Sequence, residues 1–164
     1  MSREASFGKT KLNNAREDSA LSFLLSQGNF QRPDSKVRKM LLDLLGAGAF
    51  SARAFDLILT ATPLPAITLA NASRYVDEVT LVEVKATKAP IADENLHGFF
   101  FGATENEYRL AAHLGARYKF AFVVMNVEGG RLPFFVLLTL DQLEARTRTK
   151  RVQFQVNLWS RGRP

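Results

Sequence analysis

Two isolated acidic residues interrupt apolar segments near the middle of the chain. Asp56 lies in Ala54-Phe55-Asp56-Leu57-Ile58-Leu59, and Glu83 lies within Val79–Ala86. A carboxylate at a half-buried position is costly unless it is paired, metal-bound or open to solvent. If the two segments are adjacent strands, the carboxylates repel each other unless a positive group lies between them. A divalent cation with hard oxygen ligands fits that need, so these residue types predict a metal site with Lys85 beside it.

The spacing Glu83-x-Lys85 has two interpretations. Alternate residues of a strand share one face, so both side chains would project from the same side as Leu81. Either they belong to a reactive cluster, or they form an ordinary ion pair at a solvent-exposed strand end, which contributes little to stability. The exposure of that strand face decides between the two.

An ordered set of motifs surrounds this pair. Asp56 comes first and Glu83-Val84-Lys85 follows; then come the segments Phe99-Phe100-Phe101, Thr104-Glu105-Asn106-Glu107-Tyr108 and Gly115-Ala116-Arg117-Tyr118. The set resembles the PD-(D/E)XK, or restriction-endonuclease-like, nuclease superfamily over roughly Ala54 to Asn126. In particular it resembles small domains associated with helicases, ATPases and restriction systems. Phe55 stands where the superfamily has its name-giving proline.

The resemblance implies a restriction-endonuclease-like mixed central β-sheet flanked by helices. It also implies metal-dependent hydrolysis of phosphodiester bonds in nucleic acid, by a DNA endonuclease or nickase. Asp56, Glu83 and the backbone carbonyl of Val84 would hold Mg²⁺, with Mn²⁺ as a substitute, while Lys85 would orient the attacking water and stabilise the growing negative charge. Glu17 is a candidate for an outer carboxylate, with a solvated helix-face residue as the alternative.

Several alternatives stay open at this point. The connection from Thr60 to Glu78 is long, so Asp77 or Glu78 competes with Asp56 as the first metal ligand. The same fold could serve as a catalytically inactive module that binds nucleic acid or a partner protein. The sequence does not distinguish DNA from RNA as substrate, or endonucleolytic from exonucleolytic cleavage. A homodimer would suit a cut on both strands of a duplex.

Positive charge is concentrated at the two ends of the chain. Residues 1–39 and 139–164 each carry a net charge of +4, whereas residues 40–138 carry −2. Basic clusters of this kind suit the phosphates of a polyanion, although solvated surface charge is the simpler alternative. The predicted nucleic-acid-binding residues are Lys36, Arg38, Lys39, Lys88, Arg146, Arg148, Lys150 and Arg151.

Composition predicts the type of domain and the cellular compartment in which these residues lie. The chain has 164 residues, of which 46% are hydrophobic and 23% are charged, which is typical of one globular domain spanning 1–164. It contains no cysteine, which excludes disulfides and thiolate zinc sites and fits a reducing cytoplasm. No apolar run approaches the length of a membrane span, so we expect a cytoplasmic protein without a membrane partner.

Hydrophobic periodicity predicts an α/β (α+β) fold around one mixed sheet. Glu107 is interpreted as the partner of Thr104 in a capping box, and Phe99–Phe101 as core packing. The predicted helices cover 13–26, 34–45, 104–114 and 141–146. The predicted strands cover 55–60, 78–86, 118–127, 132–138 and 152–159.

Overall fold

The computed structural model describes residues 17–87 and 89–150, and in these ranges the chain forms a five-stranded mixed sheet flanked by helices. The sheet follows chain order: β1 (Phe30–Gln31), β2 (Leu57–Leu59), β3 (Thr80–Ala86), β4 (Tyr118–Val124) and β5 (Phe134–Leu138). Strands β3 and β4 are parallel, and the other neighbouring pairs are antiparallel. The predicted α+β class is therefore confirmed.

Five α-helices accompany these strands in the described ranges. They are α1 (17–25), α2 (Ser35–Leu44), α3 (Ala72–Tyr75), α4 (Glu105–Leu114) and α5 (Leu140–Arg146). Helix α4 lies in the crossover between β3 and β4, as parallel neighbouring strands require. None of the helices in these ranges is long and apolar enough to cross a bilayer.

Local sequence signals begin α2 and α4 where they were predicted, while the predicted start of the first helix, at 13, lies outside the described residues. The side chain of Asp34 accepts hydrogen bonds from the amides of Lys36 and Val37 at the start of α2. Thr104 and Glu107 form the predicted capping box at the start of α4. These contacts satisfy amides that have no partner within the helix, so they fix where each helix begins.

Each face of the sheet covers its own hydrophobic cluster. On one face, Leu81, Phe120 and Phe122 pack with apolar residues of α2, α4 and α5. On the other face, Val82, Val84, Ala121 and Val123 pack with α1. Alternation along β3 therefore directs Glu83 and Lys85 toward the face covered by α2, α4 and α5.

One strand and one α-helix of the described chain were not predicted. Strand β1 has only two residues and is formed by pairing with β2. Helix α3 lies in the long connection from Thr60 to Glu78, where no helix was predicted. The side chain of Gln31 binds this connection, since it donates to the carbonyls of Leu64 and Pro65 and accepts from the amide of Ile67.

The structure tests the packing prediction for Phe99–Phe101 but does not cover the last predicted strand. The rings of Phe99 and Phe101 pack edge-on against Phe122 at centroid distances of 5.1 and 5.0 Å. Phe100 is 86% exposed, so the packing prediction holds for two of the three phenylalanines. The strand predicted over 152–159 lies outside the described residues.

Candidate active site

The Glu83-x-Lys85 pair is buried. The side chains of Glu83 and Lys85 are only 9% and 10% exposed, and Lys85 Nζ lies 2.7 Å from Glu83 Oε1. The interpretation as an ordinary ion pair at a solvent-exposed strand end is therefore wrong. A buried ion pair is justified energetically only with good geometry and further hydrogen bonds, so the surrounding contacts matter.

Lys85 also contacts a second carboxylate. Its Nζ lies 2.8 Å from Oε2 of Glu107, near the start of α4. Burial alone would lower the pKa of Lys85, but the facing carboxylates of Glu83 and Glu107 outweigh burial and raise it. The ammonium is thus held in its charged form between a strand and a helix.

The carboxyl group of Glu83 is only half satisfied. Oε1 binds Lys85, whereas Oε2 is buried and has no hydrogen-bond partner in the described part of the chain. Burial raises the pKa of Glu83 to about 8, and the negative charge of Asp56 adds to this effect. Because Asp56 acts on Glu83 through its charge, the two predicted acids belong to one electrostatic cluster.

Asp56 lies immediately before β2 and bonds to the backbone of β3. Its amide donates to the Val82 carbonyl at 2.9 Å, and its Oδ2 accepts from the Val84 amide at 2.9 Å. Leu57 also faces Val82 in the strand register, so two residues oppose one, as in a β-bulge. This bulge directs the Asp56 carboxylate toward the segment between Glu83 and Lys85. Within a strand the amide and carbonyl of a residue face the same edge, so the Val84 carbonyl faces Asp56 as well.

Two side chains that sequence reasoning did not assign to the site fix the segment around Asp56. The guanidinium of Arg38 donates to the carbonyls of Phe55 and Asp56 at 2.8 and 3.0 Å, and also to that of Pro33. The buried hydroxyl of Tyr118 donates to the Ala54 carbonyl at 2.5 Å. Arg38, predicted as a nucleic-acid contact, is thus bound to three backbone carbonyls of its own chain.

The remaining acids lie at the margin of the cluster. Glu17 is exposed on α1, and its pKa is raised by partial loss of hydration and by the charge of Asp56. Asp77, the alternative first acid, has a 95% exposed side chain 3.8 Å from Arg117, in the turn before β3. Glu78 shares that turn and is exposed. Among the four candidate acids Glu17, Asp56, Asp77 and Glu78, Asp56 is the one that bonds to the strand carrying Glu83.

The predicted basic residues form two groups. On α2, Lys36 is exposed, and Lys39 binds Asp43 and the Gly48 carbonyl. Near α5, Arg146 and Arg148 are exposed, and Lys150 lies 3.6 Å from Glu144. Lys88 and Arg151 lie outside the described residues.

The second group reaches the helix that carries Glu107. The Lys150 ammonium lies 4.4 Å from the centroid of the Tyr108 ring, and Tyr108 directly follows Glu107. Helices α2 and α5 also pack on the same sheet face as Leu81. Both basic groups are therefore carried by elements on the face to which Glu83 and Lys85 point.

Within residues 17–87 and 89–150, no group of three or more His, Asp or Glu side chains is arranged to hold a metal ion. The proposed donors Asp56 and Glu83 supply two such side chains, and the third donor, at Val84, is a backbone carbonyl. No protein-family model, curated protein or solved structure matches this chain.

Proposed function

We propose that this chain is a metal-dependent nuclease that hydrolyses phosphodiester bonds in nucleic acid, with DNA as the preferred substrate. The observation that carries the proposal is the buried Glu83 Oε2, which has no hydrogen-bond partner among the described residues, in a cluster that includes Asp56. Buried polar atoms in native proteins are almost always satisfied, so an exception needs an explanation, and a bound ion is one such explanation. A cation satisfies an oxygen that has no donor to accept from.

The donor set fits a hard divalent cation. Asp56, Glu83 and the Val84 carbonyl offer oxygen atoms only, as Mg²⁺ or its substitute Mn²⁺ prefers. Glu17 is the outer carboxylate of this proposal, because its pKa responds to the charge of Asp56. When bound, the cation would polarise a phosphoryl oxygen and lower the pKa of bound water.

The chain's own residues would supply charge and orientation. A lysine ammonium has three donors, and two of those on Lys85 are directed to Glu83 and Glu107. The third has no partner among the described residues and would orient the attacking water or stabilise charge on the phosphate in the transition state. The basic residues on α2 and near α5 would attract the polyanion to this face. The proposal includes a cytoplasmic location and a homodimer for cutting both strands.

Cleavage of supercoiled plasmid in Mg²⁺ or Mn²⁺ tests this function. Asp56→Asn and Glu83→Gln should each reduce the cleavage rate by about 100-fold or more, since each removes a carboxylate that would hold the cation against the reacting phosphate. Asp77→Asn is the matched control, because Asp77 is the competing acid and is exposed. Asp77→Asn should cleave like wild type. Equal losses in Asp77→Asn and Asp56→Asn would contradict the assignment of Asp56.

A catalytically inactive module that binds nucleic acid is the second candidate. The observation that favours it is the pairing of Lys85 with two carboxylates, which occupies two of its three donors. Wild-type protein that binds DNA, but cleaves neither DNA nor RNA in Mg²⁺ or Mn²⁺, would support this candidate instead.

A further inference from the structure

Glu107 makes two contacts with one oxygen atom. Its Oε2 accepts from the backbone amide of Thr104 at 3.1 Å, which completes the capping box of α4. The same oxygen lies 2.8 Å from Nζ of Lys85. The side chain of Glu107 is 9% exposed, so this negative charge is buried at the junction of α4 and β3.

Helix capping does not explain why residue 107 carries a charge. A second capping box begins α5, where Thr139 and Gln142 make the same pair of contacts with a neutral amide. Gln142 is exposed, whereas Glu107 is buried. Burying a carboxylate is costly unless it is paired, so pairing with the Lys85 ammonium, rather than helix capping, accounts for a charged side chain at this position.

We infer that Glu107 is a positioning residue that holds the Lys85 ammonium at the active site independently of Glu83. This role depends on the nuclease activity proposed above. A cation bound by Glu83 would compete with Lys85 for that carboxylate, and Lys85 would then keep only one carboxylate partner. Glu107 is fixed at the helix start by its bond to the backbone amide of Thr104, so it would hold the Lys85 ammonium in place when a cation occupies Glu83.

The geometry of the crossover supports this role. Lys85 lies near the end of β3, and the chain returns through α4 to β4, which pairs in parallel with β3. In the register, Lys85 faces Phe122, whose ring packs against Phe99 and Phe101 just before α4. The start of α4 is therefore anchored beside Lys85 by packing as well as by the ion pair.

Steady-state cleavage by Glu107→Gln is the first test. Glutamine keeps an oxygen for the Thr104 amide, as Gln142 does in α5, but it removes the charge. We expect kcat to fall by about 10- to 100-fold, as is typical when a supporting partner of a reactive group is lost. DNA affinity measured in Ca²⁺ should change less than about twofold, because the phosphate contacts remain. Wild-type kcat in Glu107→Gln would overturn the inference.

Two variants separate positioning from helix stability. Thr104→Ala removes the hydroxyl from the same capping box but keeps the backbone amide that binds Glu107. Gln142→Ala weakens the other capping box, at the start of α5. Both should lower the thermal midpoint and leave kcat near the wild-type value. A loss of kcat in Thr104→Ala equal to that in Glu107→Gln would assign the effect to the cap and overturn the inference.

A readout without catalysis distinguishes this inference from the nuclease proposal. Ion-paired lysine ammonium groups exchange slowly enough for ¹H–¹⁵N NMR, and the Lys85 signal can be assigned by its absence in Lys85→Arg. It should persist in wild-type protein with Mg²⁺ and disappear in Glu107→Gln with Mg²⁺. Persistence in both proteins would overturn the inference whatever the activity. A wild-type enzyme that cleaves nothing but shows this difference would contradict the nuclease proposal alone.

Discussion

Replacing Glu83 with glutamine should stabilise the metal-free protein, and the gain should grow with pH. Burial and the charge of Asp56 raise the pKa of Glu83 from an ordinary value of 4.5 to about 8 in the folded chain. As pH rises between these values, the unfolded chain releases the Glu83 proton while the folded chain keeps it. The free energy of unfolding of the wild type therefore falls across this interval, and glutamine removes the effect.

The size of the gain follows from the two pKa values. Each pH unit above the unfolded-state pKa and below the folded-state pKa costs about 1.4 kcal/mol, which gives at most about 3 kcal/mol at pH 7. Lys85 loses one carboxylate partner in the variant but keeps Glu107. We therefore expect a net gain of about 1–3 kcal/mol at pH 7 and almost none near pH 4.5.

Urea unfolding from pH 5 to pH 8 in EDTA measures this difference. The free energies of unfolding of wild type and Glu83→Gln should diverge as pH rises. Glu128→Gln is the control, because Glu128 is exposed and its replacement should shift the wild-type curve equally at every pH. Parallel curves for wild type and Glu83→Gln would refute the argument that burial of this carboxyl group destabilises its charged form.

Two further predictions concern ligands. Mg²⁺ should raise the thermal midpoint of wild type more at pH 8 than at pH 6, because protons compete with the cation for Glu83. In Glu83→Gln, Mg²⁺ should raise the thermal midpoint little. An equal rise in both proteins would exclude Glu83 as a ligand. For duplex DNA in Ca²⁺, log K should fall linearly with log[salt], and Arg148→Glu should reduce the slope by about one, as expected for the loss of one phosphate contact. Arg74→Glu, which changes an exposed arginine outside the two basic groups, should leave the slope unchanged. A salt-independent affinity would contradict a phosphate interface.

Elements with local signals were predictable from sequence. The capping residues Asp34 and Thr104 mark the starts of α2 and α4, and the apolar run after Arg117 marks β4. Strand β1 was missed because two residues have no periodicity of their own. Helix α3 was missed because long-range bonds from Gln31 order the preceding connection, and no local pattern reports such bonds.

The site was predictable only in part. Lone acids in apolar runs indicated Asp56 and Glu83, and strand alternation placed Lys85 beside Glu83. The second role of Glu107 was missed because a capping box already accounts for a glutamate three residues after Thr104. The contacts that Arg38 and Tyr118 make beside Asp56 were missed because their targets are backbone carbonyls of Ala54–Asp56, which the sequence does not mark.

The charge balance of the buried cluster is itself an argument for a ligand. Two carboxylates, from Glu83 and Glu107, face the single ammonium of Lys85, and the charge of Asp56 acts on Glu83. One oxygen of Glu83 has no partner in the described part of the chain. Apolar residues of similar volume often give equal or greater stability at such positions. When Glu83 is ionised, this cluster carries an excess of negative charge, which stability alone explains poorly. A bound cation would both neutralise the excess and satisfy the free oxygen, which is why loss of the Glu83 charge should stabilise the fold and abolish cleavage together.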